Sequence, residues 1–200
     1  MTDIKTMLKN ALILFVITFV AGISLGAVYQ VTKEPIAYQE QLSLIKANQA
    51  VFPDAADFED AQLNEATASQ ILSNADYSKI SILDVKKAVD GSGNGIGYVI
   101  QISSGGYGDK IVYSVGITND SKVNGISLIS INETPGLGMN AEKVIVPQFS
   151  GKPAAQFSVT KNAASSESEI EAISGATITS KAITYGVNAA VEYFQAELAN

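Results

Sequence analysis

The longest feature of the hydropathy pattern is a run without a charged side chain, Asn10 to Thr32, "NALILFVITFVAGISLGAVYQVT". At about 1.5 Å of rise per residue, a helix of this length spans the roughly 30 Å hydrocarbon core of a bilayer, and a single transmembrane helix is predicted. No polar stripe marks it as a buried core helix. A cleaved secretory signal is the competing reading. Its apolar core is usually only about 7–15 residues long, but Ala21, Gly22, Ser24, Gly26 and Ala27 keep that reading open. Beyond the run, Ile36, Leu42, Leu44, Ile45 and Val51 recur among polar residues. This spacing predicts a helix that resumes after a break at Pro35 and ends at "FPDAADFED". Residues 54 to 76 are expected to be irregular or helical.

A different pattern follows. Residues 79 to 90, 95 to 104, 109 to 118 and 125 to 133 are rich in β-branched and aromatic side chains, and turn-forming stretches such as "DGSGNG" and "NDSKVNG" separate them. Four strands with short connections predict an antiparallel sheet, and "QFSVTK" (156 to 161) predicts one more strand. From about Ser180 to Leu198 the apolar residues Ile183, Val187, Ala190, Val191, Phe194 and Leu198 fall at helical spacing and predict a helix packed on the sheet. The fold class is α+β: a single N-terminal transmembrane helix, then an antiparallel-sheet domain with packed helices. The expected organisation is a cytoplasmic tip and transmembrane helix at 1–32, a helical or irregular connecting region at 33–78, and the sheet domain at 79–200.

Charge adds an orientation. Lys5 and Lys9 precede the apolar run, and only Lys33, followed at once by Glu34, comes after it. This bias predicts a cytoplasmic N-terminus, with the C-terminal domain outside the cytoplasm of a single-pass cell-membrane protein. Eleven lysines against nineteen acids from Lys33 onward leave that domain near −8, which repels phosphate backbones and argues against nucleic acid as a partner. The chain has no cysteine, histidine or tryptophan. Thiolate chemistry and cysteine-ligated metal centres are therefore impossible, and histidine-dependent hydrolysis and most zinc chemistry are untenable. No catalytic residue and no metal site are expected.

Three stretches break the pattern of a plain sheet-and-helix domain. In "SSGGYGDK" (103 to 110), Gly105, Gly106 and Gly108 surround the lone aromatic Tyr107. That composition serves either an ordinary hairpin turn or a close approach of backbone to a ligand. In "NETPGLGMN" (132 to 140), Pro135-Gly136 is a type II turn signature beside Leu137 and Gly138, and the loop either exits the strand or presents N–H groups to a flat ligand. In "SGATITS" (174 to 180), small and hydroxylated residues precede a helix. Thr179 or Ser180 could cap it, or the helix N-terminus could receive an anionic phosphate, with the Thr177 hydroxyl placed to be bonded to it.

Taken together and in this order, "GGYG", "ETPGLG" and "SGATITS" behind an N-terminal membrane helix resemble the covalently flavinylated G subunit of the Rnf electron transport complex. Its longer relative is the C subunit of the Na⁺-translocating NADH:quinone reductase. The resemblance implies that the sheet domain binds FMN, joined through its phosphate to Thr177 by a separate flavin transferase that draws on FAD. Ser174, Gly175 and Ala176 then form the recognition element, and Thr179 is the nearest alternative acceptor. Glu171 stands where members often have aspartate. Further cofactor contacts are implied at Glu133, Thr134, Pro135, Gly136, Leu137 and Gly138, and at Gly106 and Tyr107, with Tyr107 and Leu137 as the apolar slot for the ring. The implied function is an electron-carrier subunit of an ion-translocating ferredoxin:NAD oxidoreductase, whose partners are the other subunits of the membrane complex, the transferase and the lipid bilayer. The alternatives are the quinone-reductase C subunit and a membrane-anchored module without flavin.

Overall fold

The structure, a computed structural model, describes residues 3–199. The chain divides into two compact units, one ending at Ser43 and the other beginning at Leu44. The first is occupied by helix α1, Ile4–Val51, whose last two turns belong to the second unit. This helix is long and apolar enough to cross a membrane. Contrary to the expected break, the helix runs through Pro35. A proline costs about 3 kcal/mol inside a helix, a penalty the helix-forming residues on both sides can offset.

The second unit is built on a five-stranded antiparallel sheet in the order β1-β2-β3-β4-β5, so every strand pairs with its sequence neighbour. The strands are β1 (Asp57–Ala61), β2 (Ile80–Val89), β3 (Gly95–Gly105), β4 (Lys110–Thr118) and β5 (Val123–Ser130). The four strands expected from residues 79 to 133 are thus present. Strand β1 lies in the stretch expected to be irregular or helical. Its residues are mostly acidic, and they pair across the edge with lysines: Glu59 opposes Lys87, and Asp60 opposes and ion-pairs with Lys86. Helix α2 (Glu65–Leu72) follows it, capped by the Asn64 side chain.

Alternation along β3 divides the layers. Ile100 and Ile102 face the main core with Val115 and Tyr113 of β4, while Val99 joins Val51, Phe52, Ala55 and Ala88 on the opposite face. On that second face the end of α1 is held by polar contacts: Ser114 Oγ donates to Asn48 Oδ1 at 2.9 Å, and Asn124 Nδ2 donates to the Val51 carbonyl at 2.5 Å.

The main core is covered by helix α4, Thr177–Tyr193, which continues as one π-helical turn over Phe194–Leu198. Ile183, Val187, Ala190, Val191 and Phe194 of the expected stripe are all buried. Its start lies three residues earlier than expected. Between β5 and α4 the chain forms the short helix α3 (Ala141–Val144) and two brief parallel-paired strands, β6 (Ser158–Thr160) and β7 (Glu169–Glu171). Strand β6 lies within the strand expected at 156 to 161; β7, in a Ser/Glu-rich stretch, was not expected.

Candidate cofactor site

Three segments far apart in sequence meet at the N-terminal end of α4. The β3–β4 turn brings Tyr107. The loop after β5 brings Glu133, Thr134, Leu137 and Gly138, and the start of α4 brings Gly175, Ala176, Thr177, Ile178 and Thr179. They enclose a pocket of about 490 Å³, within the usual range of roughly 300–1,000 Å³ for small-molecule sites.

The loop after β5 contains the expected type II turn. Leu137 N–H donates to the Thr134 carbonyl at 3.1 Å across Pro135 and Gly136, and Gly136 has φ +77°, which its lack of a side chain permits. The entry to α4 is a second tight turn, closed by Ala176 N–H donating to the Ile173 carbonyl at 2.9 Å around Gly175, φ +78°. A Cβ on Gly175 would come within 3.1 Å of Leu137 Cδ2, so the two turns lie against each other.

Neither Thr179 nor Ser180 caps the helix. The N-cap is Ala176, which has no side-chain acceptor, and the first helical bond is Ser180 N–H to the Ala176 carbonyl at 3.0 Å. The N–H groups of Thr177, Ile178 and Thr179 therefore have no protein partner among the described residues. The three hydroxyls have separate roles. Ser180 Oγ donates to the Ala176 carbonyl at 2.9 Å and accepts from Ile173 N–H at 3.0 Å, which fastens the entry turn to the helix. Thr179 is buried, 1% exposed, and donates to Glu133 Oε2 at 3.1 Å. Thr177 is half-buried on the pocket wall, and its hydroxyl has no protein partner among the described residues.

Glu133 connects all three segments. It is 6% exposed; its Oε1 accepts from Tyr107 N–H at 2.7 Å and Gly108 N–H at 3.3 Å, and its Oε2 accepts from Thr179. Two glycines make room for it. A Cβ on Gly106 would overlap the Glu133 carboxylate, and one on Gly138 would lie 2.7 Å from Glu133 Cβ and 2.8 Å from Thr179 Oγ1. The pocket rim is apolar and exposed: Tyr107 at 70%, Ile178 at 54% and Leu137 at 39%.

Of the residues singled out in the sequence, Tyr107, Glu133, Thr134, Leu137, Gly138, Gly175, Ala176, Thr177 and Thr179 line this pocket. Gly106, Pro135, Gly136 and Ser174 do not line it; Gly106 makes room for Glu133, and the other three form the turns. Ile178 was missed, though an aliphatic side chain amid a run of hydroxylated residues was a visible signal.

Comparison with known proteins adds the family. Residues 106–192 match the FMN-binding domain, and residues 1–51 match the RnfG N-terminal region. The G subunit of the Na(+)-translocating ferredoxin:NAD(+) oxidoreductase complex of Acetobacterium woodii is 37% identical over 198 residues, 96% of this chain and 94% of that one. The chain belongs to this G-subunit family. A second member, the G subunit of the proton-translocating ferredoxin:NAD(+) oxidoreductase complex of Clostridium ljungdahlii, is 36% identical over 176 residues, 87% of this chain and 84% of that one. The crystal structure of Shewanella oneidensis NqrC aligns over 56% of this chain and 57% of that one, at 24% identity and a TM-score of 0.46.

Every residue lining the pocket falls within the segment that matches the FMN-binding domain. The pocket's chemistry suits that ligand. Three N–H groups without a protein partner among the described residues, at the start of a 17-residue helix, suit a phosphate, and an apolar rim suits an uncharged ring.

Proposed function

We propose that this chain is the electron-carrier subunit of an ion-translocating ferredoxin:NAD⁺ oxidoreductase complex. In this reading it is anchored by α1, with its C-terminal domain outside the cytoplasm and FMN held as a phosphoester on Thr177. One observation carries the attachment point. Of the hydroxyls at the start of α4, those of Thr179 and Ser180 are already bonded within the protein, whereas that of Thr177 stands half-exposed in the pocket.

Attachment balances with FAD as donor. Thr177 Oγ attacks the FMN-side phosphorus, the P–O–P bond breaks, AMP leaves, and the hydroxyl proton passes to a base of the transferase or to water. The phosphodiester that remains carries one negative charge, which the N–H groups of Thr177, Ile178 and Thr179 are placed to receive. When bound, FMN supplies reversible electron uptake and release at its ring system. The chain's own residues have other tasks. Tyr107, Leu137 and Ile178 offer an apolar edge to the ring, Glu133 holds the surrounding turns in register, and the ester keeps the cofactor from diffusing away outside the cytoplasm. No side chain need act as an acid or base in electron transfer, in keeping with a chain that has no histidine.

The test is co-production with a flavin transferase and mass spectrometry of the purified chain. The wild type is expected to carry one FMN, less one water, on the peptide containing Thr177, and Thr177→Ala to carry none. An unmodified wild-type chain would falsify this assignment and leave an anchored domain without flavin.

A further inference from the structure

Glu133 does more than its place in the pocket wall requires. A buried carboxylate is expensive to desolvate and is ordinarily matched by a cation. Here, among the described residues, no lysine pairs with it. All of its partners are neutral donors: the N–H groups of Tyr107 and Gly108 on one oxygen, and the Thr179 hydroxyl on the other. Gly106 and Gly138 keep side chains away from both oxygens. The fold thus keeps a carboxyl group that only neutral donors hold in the same pocket wall as Thr177.

We propose that Glu133 sets the midpoint potential of the flavin, holding it lower than a neutral pocket would. The proposal rests on the reading that FMN occupies this pocket from Thr177. Each electron the ring takes up from a donor brings one negative charge into the pocket, which a proton from solvent can afterwards neutralise. A fixed carboxylate in a partly water-excluded wall opposes that arrival, and the opposition is stronger than it would be in water. The Thr179 hydroxyl moderates it, since it donates to Glu133 Oε2. A redox carrier that must pass electrons onward benefits from a reduced flavin that releases them readily.

Two variants move the potential in opposite directions. Glu133→Gln removes the charge at nearly constant shape, and Thr179→Val removes the moderating hydroxyl while leaving the charge. In a reductive titration of the full, flavinylated chain followed by absorbance, Glu133→Gln is expected to shift the midpoint upward and Thr179→Val downward. Glu133→Asp, which keeps the charge, should lie closer to wild type than Glu133→Gln. A purely structural role would loosen the site in all three variants without opposite shifts, and melting of the flavin-free proteins measures that loosening separately. Midpoints within error of wild type for Glu133→Gln and Thr179→Val would overturn the proposal. If Glu133→Gln does not fold, the direction of the Thr179→Val shift decides. Failure of both variants to accept flavin also overturns it, because Glu133 would then serve assembly of the site. A wild-type chain that carries no flavin refutes the parent reading instead, which keeps the two failures distinct.

Discussion

At the scale of single residues, the site depends on groups that are absent as much as on those present. Gly138 shows this most directly, because the space its side chain would fill is taken by Glu133 and Thr179. Gly138→Ala would add one methyl in the middle of a buried hydrogen bond, and overpacking of this kind costs about 1–3 kcal/mol. Thermal unfolding is expected to show that loss, together with a lower fraction of chains carrying flavin; an unchanged melting temperature would show that the loop yields freely. Such positions were only half legible in the sequence. The glycines around Leu137 read equally well as a plain turn, and those around Tyr107 read better as one, because composition does not reveal which distant side chain fills the space a glycine leaves. The proposed acceptor role of Thr177 rested on its motif, because the residues alone also read as an ordinary helix cap. The helix start was misplaced because Ala176 lacks the polar side chain by which an N-cap is usually recognised.

At the scale of elements, the position of α4 on the sheet determines whether its first turn reaches the two loops. The seat includes a fully buried tyrosine: Tyr113 Oη lies 2.9 Å from Ser104 Oγ and donates to the Ile183 carbonyl at 3.0 Å. Burial raises the Tyr113 hydroxyl well above the usual phenol range, so it remains a proton donor. Gly186 faces it, and a Cβ there would overlap the Tyr113 hydroxyl. Two effects compete for Gly186→Ala. Helix propensity favours alanine by about 1 kcal/mol, and overpacking opposes it by about 1–3 kcal/mol. The clash is expected to win, giving net destabilisation by denaturant unfolding. Tyr113→Phe alone should cost about 1–3 kcal/mol from the buried partners left unpaired, but the penalty of Gly186→Ala should be smaller in that background. Strictly additive effects would show that the tyrosine does not set the helix position. The elements themselves were largely readable, since runs rich in β-branched and aromatic residues between turn signals marked β2 to β5 and helical spacing marked α4. The edge strand β1 was not, because "DFEDA" is stabilised by opposing lysines on β2 and has little propensity of its own. Pro35 misled for a related reason: a single residue's cost was weighed without the helix-forming residues around it.

At the scale of the whole molecule, composition makes the proposed orientation easy to test. The chain contains no cysteine, so one introduced thiol reports without background. With Ala163→Cys, in an exposed stretch of the C-terminal unit, a membrane-impermeant maleimide is expected to label intact cells. Thr6→Cys, before the apolar run, should react only after permeabilisation. The reverse pattern would place the FMN-binding domain in the cytoplasm and remove the reason for the proposed tether.

The neighbour-to-neighbour strand order of the sheet also bears on how the protein is made. Each strand can join the preceding one as it leaves the ribosome, but the threonine proposed to carry the cofactor arrives only with α4. On that proposal, a polypeptide cut short before α4 would be a partly folded sheet with nothing to modify, and only copies that reach α4 could enter service as redox carriers.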